Sequence, residues 1–205
     1  MKDLGEAGLL PGVKITHKSN RFTFSQEHYI NTLAQEYDLE KYATANTPLK
    51  PNLQLNIASR EEEIVFANFK INYRSTIGAL NYISTNTRPD ITFAVSHLSR
   101  FLEKPGITHW TACLQFLRYL YHTKKLLLHY TKGGEKGIVA YADADWGNSV
   151  INRRSTSGYV VTMKGHLVSW RTKKQPTVSH STTEMEYKGL SDMTKEVEWL
   201  IQLLE

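Results

Sequence analysis

The sequence predicts a chain of mixed α+β and α/β class in two parts: short strands followed by helices, then a three-stranded antiparallel sheet leading into one long C-terminal helix. Three observations carry this expectation. Apolar residues recur at three- and four-residue spacing, the helical signature, in five stretches. Short apolar runs bounded by turn residues, the strand signature, fall at the start of the chain and again between 138 and 171. Between the two parts lies Tyr130-Thr131-Lys132-Gly133-Gly134-Glu135-Lys136-Gly137, where glycines mix with charge.

Taken in order, residues 9–16 and 21–24 read as two strands around a Lys18-Ser19-Asn20 turn. Pro11 lacks an amide donor, so it weakens the first strand or confines it to an edge. Ser25 is placed to cap a helix carrying Tyr29, Ile30, Leu33 and Tyr37. The polar stretch with Pro48, Pro51 and Arg60-Glu61-Glu62-Glu63 reads as a connector. Three helices follow: 71–84 around Ile77 and Leu80, 88–102 with Ile91, Val95, Leu98 and Leu102, and 109–122 with Trp110, Cys113, Leu114, Leu117 and Tyr121. Thr87 and Asp90 have capping-box spacing ahead of the middle one.

A boundary is expected at 133–137, dividing residues 1–132 from residues 138–205. The run lacks the Gly-Lys-Ser/Thr ending of a phosphate loop. Strands at 138–143, 157–163 and 166–171 come next, the last two joined by Lys164-Gly165 as a tight turn. The final helix, from about Thr183, carries Leu190, Met193, Val197, Leu200, Ile201 and Leu204 as its apolar stripe.

Of the 205 residues, 40% are hydrophobic and 22% charged, which argues against disorder. Cys113 is the only cysteine, so the chain forms no internal disulfide and suits a reducing compartment. Met1-Lys2 is followed by Asp3 and Glu6 with only short apolar stretches, so no signal peptide is visible, and no run has membrane-spanning length. A cytoplasmic or nuclear location is therefore expected, with no membrane partner, and a secreted effector is disfavoured. Basic charge is concentrated: between Val150 and Lys188 there are seven Lys or Arg against two acids. From Gly189 onward one Lys faces four acids.

Asp143 closes the apolar run Ile138-Val139-Ala140-Tyr141-Ala142, and Glu186 falls in the first turns of the final helix. One strand carboxylate and one helix carboxylate can meet over a divalent ion, although a hydrolytic magnesium site draws on more oxygen ligands than two. Plainer readings stand beside this one. Acids closing a strand are ordinary turn residues, and a Glu in a first helical turn interacts favourably with the helix dipole. Asp145, nearer the Trp146-Gly147-Asn148 turn, is the weaker ligand. The eight histidines give no pair at metal-ligand spacing with a matching acid, and Ser and His around 179–182 come without a nucleophile elbow. Arg153, Arg154, Ser155, Thr156, Lys173, Lys174 and Gln175 suit contacts to nucleic-acid phosphates, or else form a solvated edge.

Five blocks in the C-terminal part sharpen this. Tyr141-Ala142-Asp143-Ala144-Asp145-Trp146, Arg153-Arg154-Ser155-Thr156-Ser157-Gly158-Tyr159, Ser169-Trp170, Lys173-Lys174-Gln175-Pro176 and Ser181-Thr182-Thr183-Glu184-Met185-Glu186-Tyr187 resemble, in this order, the ribonuclease H segment of Ty1/copia-type retrotransposon Pol polyproteins. Met1-Lys2-Asp3-Leu4-Gly5-Glu6, Gly78-Ala79-Leu80-Asn81-Tyr82, Thr87-Arg88-Pro89-Asp90-Ile91 and His109-Trp110 resemble the reverse transcriptase of the same polyprotein after its palm. The resemblance implies a reverse-transcriptase remnant of thumb and connection helices, followed by the N-terminal part of a ribonuclease H domain. It makes Asp143 and Glu186 catalytic metal ligands, Glu184 a capping residue, Mg²⁺ the cofactor, and an RNA/DNA hybrid and the rest of Pol the partners. No Tyr-Val-Asp-Asp-like polymerase motif is present, and two later aspartates of the family are missing, so a catalytically deficient fragment is expected. The alternative is a co-opted fragment that binds nucleic acid or a host protein without catalysis.

Overall fold

The computed structural model describes residues 9–134, 137–145 and 153–205. The chain divides into two compact units, Met1–Lys132 and Gly133–Glu205. The Met1–Glu6 block and the expected Trp146-Gly147-Asn148 turn lie outside the described residues.

In the first unit, β1 (Leu9–Leu10), β2 (Val13–Lys18), β3 (Arg21–Ser25) and β4 (Leu128–Thr131) form an antiparallel sheet in that order. Pro11-Gly12 separates β1 from β2, Gly12 having a φ of +70° that favours glycine. This leaves β1 as a two-residue edge strand. β4 was not expected from the sequence: it is four residues long and owes its place to long-range pairing with β3.

Among the described residues five α-helices complete the unit: α1 (Glu27–Glu36), α2 (Arg60–Ala67), α3 (Tyr73–Asn86), α4 (Thr92–Leu98) and α5 (Ile107–His122). The end of the stretch read as a connector, from Arg60, thus forms the start of α2, while the part with Pro48 and Pro51 stays without regular structure. Ser59 Oγ accepts from the Glu62 amide at 3.3 Å and the Glu62 carboxylate accepts from the Ser59 amide at 3.0 Å, a full capping box. The capping box expected at Thr87 and Asp90 does not form. Thr87 instead closes α3 and donates to Gln26 Oε1 at 2.7 Å, while Pro89–Ile91 form a 3-10 turn before α4. Leu80, Ile83, Leu98, Cys113, Phe116 and Leu120 lie at the centre of the core. Burial there pushes the Cys113 thiol far above its ordinary pKa.

Arg88 is 1% exposed. Its guanidinium donates to Asp90 at 2.8 and 2.7 Å and to the carbonyl and hydroxyl of Thr123 at 3.1 and 2.8 Å, tying the end of α3 to the end of α5.

In the second unit, β5 (Ile138–Asp145), β6 (Thr156–Met163) and β7 (His166–Lys174) form an antiparallel sheet in sequence order. Lys164 and Gly165 both have positive φ, 53° and 76°, the two-residue hairpin geometry whose twist suits the flanking strands. α6 (Thr182–Leu204) packs on β5 and β6. Its inward stripe matches the expected one in part: Met185 and Gly189 are buried, Met193, Glu196, Val197 and Leu200 are half-buried, and Leu190, Ile201 and Leu204 are exposed. Among the described residues no helix is long and apolar enough to cross a membrane.

Candidate carboxylate and nucleic-acid site

Strand register gathers the site residues. Across β5, β6 and β7 the pairings run Asp143–Gly158–Thr172, Ala144–Ser157–Lys173 and Asp145–Thr156–Lys174. The Gln175 amide donates to the Ser155 carbonyl at 2.8 Å, which continues the pairing past β7 and sets Lys173-Lys174 beside the approach of Arg153-Arg154 to β6. The acids that close β5 therefore share one end of the sheet with both basic stretches.

The start of α6 belongs to the same end, and one buried side chain fixes it there. Gln175, 4% exposed, donates through Nε2 to Ser157 Oγ at 2.7 Å and to the Met185 carbonyl at 3.0 Å, and its Oε1 accepts from Ser179 Oγ at 2.9 Å. An amide supplies both a donor and an acceptor, which a Lys or a Glu in its place does not. Lys188 Nζ then reaches Thr177 at 2.9 Å, Ser179 at 3.1 Å and the Glu184 carboxylate at 2.6 Å. Ser181 Oγ accepts from the Glu184 amide at 3.1 Å, and Glu184 Oε2 accepts from the His180 amide at 2.8 Å. Hydrogen bonds from Lys188 and the His180 amide hold the Glu184 carboxyl below its usual pKa. α6 crosses the sheet at Gly189, where a Cβ would sit in ordinary van der Waals contact, 3.7 Å from the side chains of Ala144 and Ser157.

Asp143 is exposed, and strand alternation gives it the sheet face of Val139 and Tyr141, while Ala144 faces α6. Glu186 is also exposed, between buried Met185 and exposed Tyr187, one turn before the Gly189 crossing. Glu186 thus takes an open position on α6. Hard, solvent-open carboxylate oxygens are the donors that Mg²⁺ takes. Among the described residues no group of three or more His, Cys, Asp or Glu is placed to hold a metal ion.

The nucleic-acid set separates by burial. Arg153 and Lys173 are exposed, and Arg154 and Lys174 are half-buried. Ser155, Thr156 and Gln175 are 0%, 5% and 4% exposed, so their side chains serve the interior rather than a phosphate. The clamp at Gln175 was missed in the sequence, where its one signal is a neutral amide ending a basic run before Pro176.

No family model matches the chain, and no solved structure matches it. Curated proteins do. The Retrovirus-related Pol polyprotein from transposon TNT 1-94 of Nicotiana tabacum is 39% identical over 212 residues, covering 100% of this chain. The Retrovirus-related Pol polyprotein from transposon RE1 of Arabidopsis thaliana is 32% identical over 204 residues, again 100% of this chain. The chain belongs to the Pol polyproteins of Ty1/copia-type retrotransposons. It spans 16% of the tobacco Pol polyprotein and 14% of the Arabidopsis one. A third relative, Secreted RxLR effector protein 161 of Plasmopara viticola, is 48% identical over 128 residues, covering 62% of this chain and 90% of that protein.

Proposed function

We propose that residues 138–205 are the N-terminal part of a ribonuclease H-like domain with Asp143 and Glu186 as ligands of Mg²⁺, and that residues 1–132 are the reverse-transcriptase stretch following the palm. The parent activity is RNA-directed DNA synthesis with cleavage of the RNA strand of RNA/DNA hybrids, in the cytoplasm or nucleus. The observation that supports this reading is that Asp143 ends its strand at the end of the sheet where two basic stretches and the start of α6 also lie, Asp143 being on the face away from α6. Arg153, Arg154, Lys173 and Lys174 neutralise and position the phosphate backbone. The chemistry a bound Mg²⁺ supplies is activation of water and stabilisation of the departing oxygen. Two carboxylates hold such an ion weakly, and the sequence carries no polymerase motif, so this stretch alone is deficient in catalysis.

The test is hybrid binding and cleavage by the purified chain with and without Mg²⁺. Mg²⁺ tightens binding of an RNA/DNA hybrid, Asp143→Asn and Glu186→Gln each remove that gain, and no cleavage occurs. Cleavage that Asp143→Asn abolishes contradicts the deficiency. A second reading, a co-opted binding protein, draws support from the relative named as an effector. It requires hybrid binding indifferent to Mg²⁺ and to both substitutions.

A further inference from the structure

Residues 43–58 form neither helix nor strand, yet they are fastened along α5 as a strap. Arg118 Nε donates to the Ala43 carbonyl at 2.7 Å and Gln115 Nε2 to the Thr47 carbonyl at 3.4 Å. At the other end the Gly106 amide donates to His109 Nδ1 at 2.9 Å, so the ring proton sits on Nε2, which donates to the Asn56 carbonyl at 2.9 Å. Between Thr47 and Asn56 the strap stands off the helix over a cavity of about 290 Å³. Buried Leu55 and Ala112 and half-buried Leu49, Leu53 and Ile107 make it mainly apolar.

We propose that this cavity binds a small monocarboxylate with a compact, ring-sized apolar body. Its volume lies at the lower end of the range of ligand pockets, about 300–1,000 Å³, and its apolar lining with few polar groups is the usual make-up of one. Because α5 side chains hold the strap on both sides, the hollow is already formed and does not run on as a groove for an extended chain. The polar groups at its rim are unequal. Thr111 donates to the Ile107 carbonyl at 2.9 Å and Gln115 is committed to Thr47, whereas exposed Lys50 enters no ion pair among the described residues. Lys50 opens a turn in which the Leu53 amide donates to its carbonyl at 3.2 Å, with Pro51 and Asn52, at a φ of +56°, between them. Leu49 and Leu53, on either side of that turn, line the cavity together with Lys50. Lys50 is the one cation among the lining residues, and no acid lines the cavity, so an anionic head beside an apolar body is the complementary ligand. The site lies within the first unit and uses neither Asp143 nor Glu186.

The test is amide NMR of the full chain titrated with naphthoate and with naphthalenemethanol, its uncharged analogue. Naphthoate is expected to shift amides within 49–55 and 107–115, with a dissociation constant of about 1 mM or tighter. Lys50→Gln should weaken naphthoate about threefold and leave the alcohol unchanged, and added salt should act in the same way. Ala112→Leu fills the cavity and should remove binding of both compounds. Thr108→Trp, at the exposed rim, should close the mouth with the same result, and it keeps this arm available if Ala112→Leu unfolds the chain. Absence of shifts in the two segments overturns the proposal, as does undiminished binding by either folded variant. Naphthoate affinity indifferent to Lys50→Gln overturns the choice of a carboxylate.

Discussion

In the first unit, side chains from α1, α3, α4 and α5 meet in one continuous core in which Leu80, Leu98 and Phe116 are wholly buried, and Arg88 is locked among four hydrogen bonds. In the second, α6 covers one sheet face, the buried apolar side chains among the described residues are Tyr159, Val161 and Met185, and Tyr141 and Trp199 stay 66% and 53% exposed. Where a core is broad, apolar packing sets the positions of helices. Where it is thin, a polar clamp takes over much of that task, and Gln175 does so beside the candidate site.

The largest effect is expected from cutting the broad core. Phe116→Ala should cost about 3–5 kcal/mol. Hydrogen exchange should show the amides of α3 and α5 losing protection while those of α6 keep theirs; loss in α6 as well breaks the view that each unit is stabilised separately. Next comes Arg88→Ala, at about 3 kcal/mol, because it strands a partly buried Asp90.

Burial pushes the Asp90 carboxyl upward, but hydrogen bonds and charge from Arg88, with the Tyr119 hydroxyl, outweigh it and hold the group below the usual carboxylate range. A depressed carboxyl stabilises the fold above its unfolded pKa and loses that contribution as pH falls through the folded value. Acid melts should therefore show the first unit weakening below about pH 4. Arg88→Ala should flatten that dependence. An unaltered acid limb contradicts the assignment.

Gln175→Ala should cost the second unit about 1–3 kcal/mol, since it leaves the Ser157 hydroxyl and the Met185 carbonyl without their donor. Faster exchange in the first turns of α6 is the expected readout, and an unchanged α6 removes the clamp from the account. Ser59→Ala, which opens the capping box of α2, should cost about 1 kcal/mol and act on the first unit alone.

Much of this fold was legible in the sequence because it is local. Helical spacing marked α5, and Lys164-Gly165 marked the β6–β7 hairpin through a turn that needs two positive φ angles. α2 was legible too, in the Ser59-x-x-Glu62 spacing, but the prolines before it and the run of charge read as a connector. β4 was not, because four residues gain strand geometry only from a partner more than a hundred residues away. In the site, Asp143 and Glu186 stood out by residue type and by neighbouring motif. The burial of Gln175 did not, since an amide in a basic run looks the same whether it meets phosphate or closes an internal network.

Both carboxylates serving one ion is the central claim, and paramagnetic broadening by Mn²⁺ in amide NMR spectra tests it most directly. Amides around Asp143 and those around Glu186 should broaden together at the lowest Mn²⁺ additions, and Asp143→Asn should abolish both sets. Broadening at Glu186 that survives Asp143→Asn, or first broadening at residues far from either, contradicts a shared site.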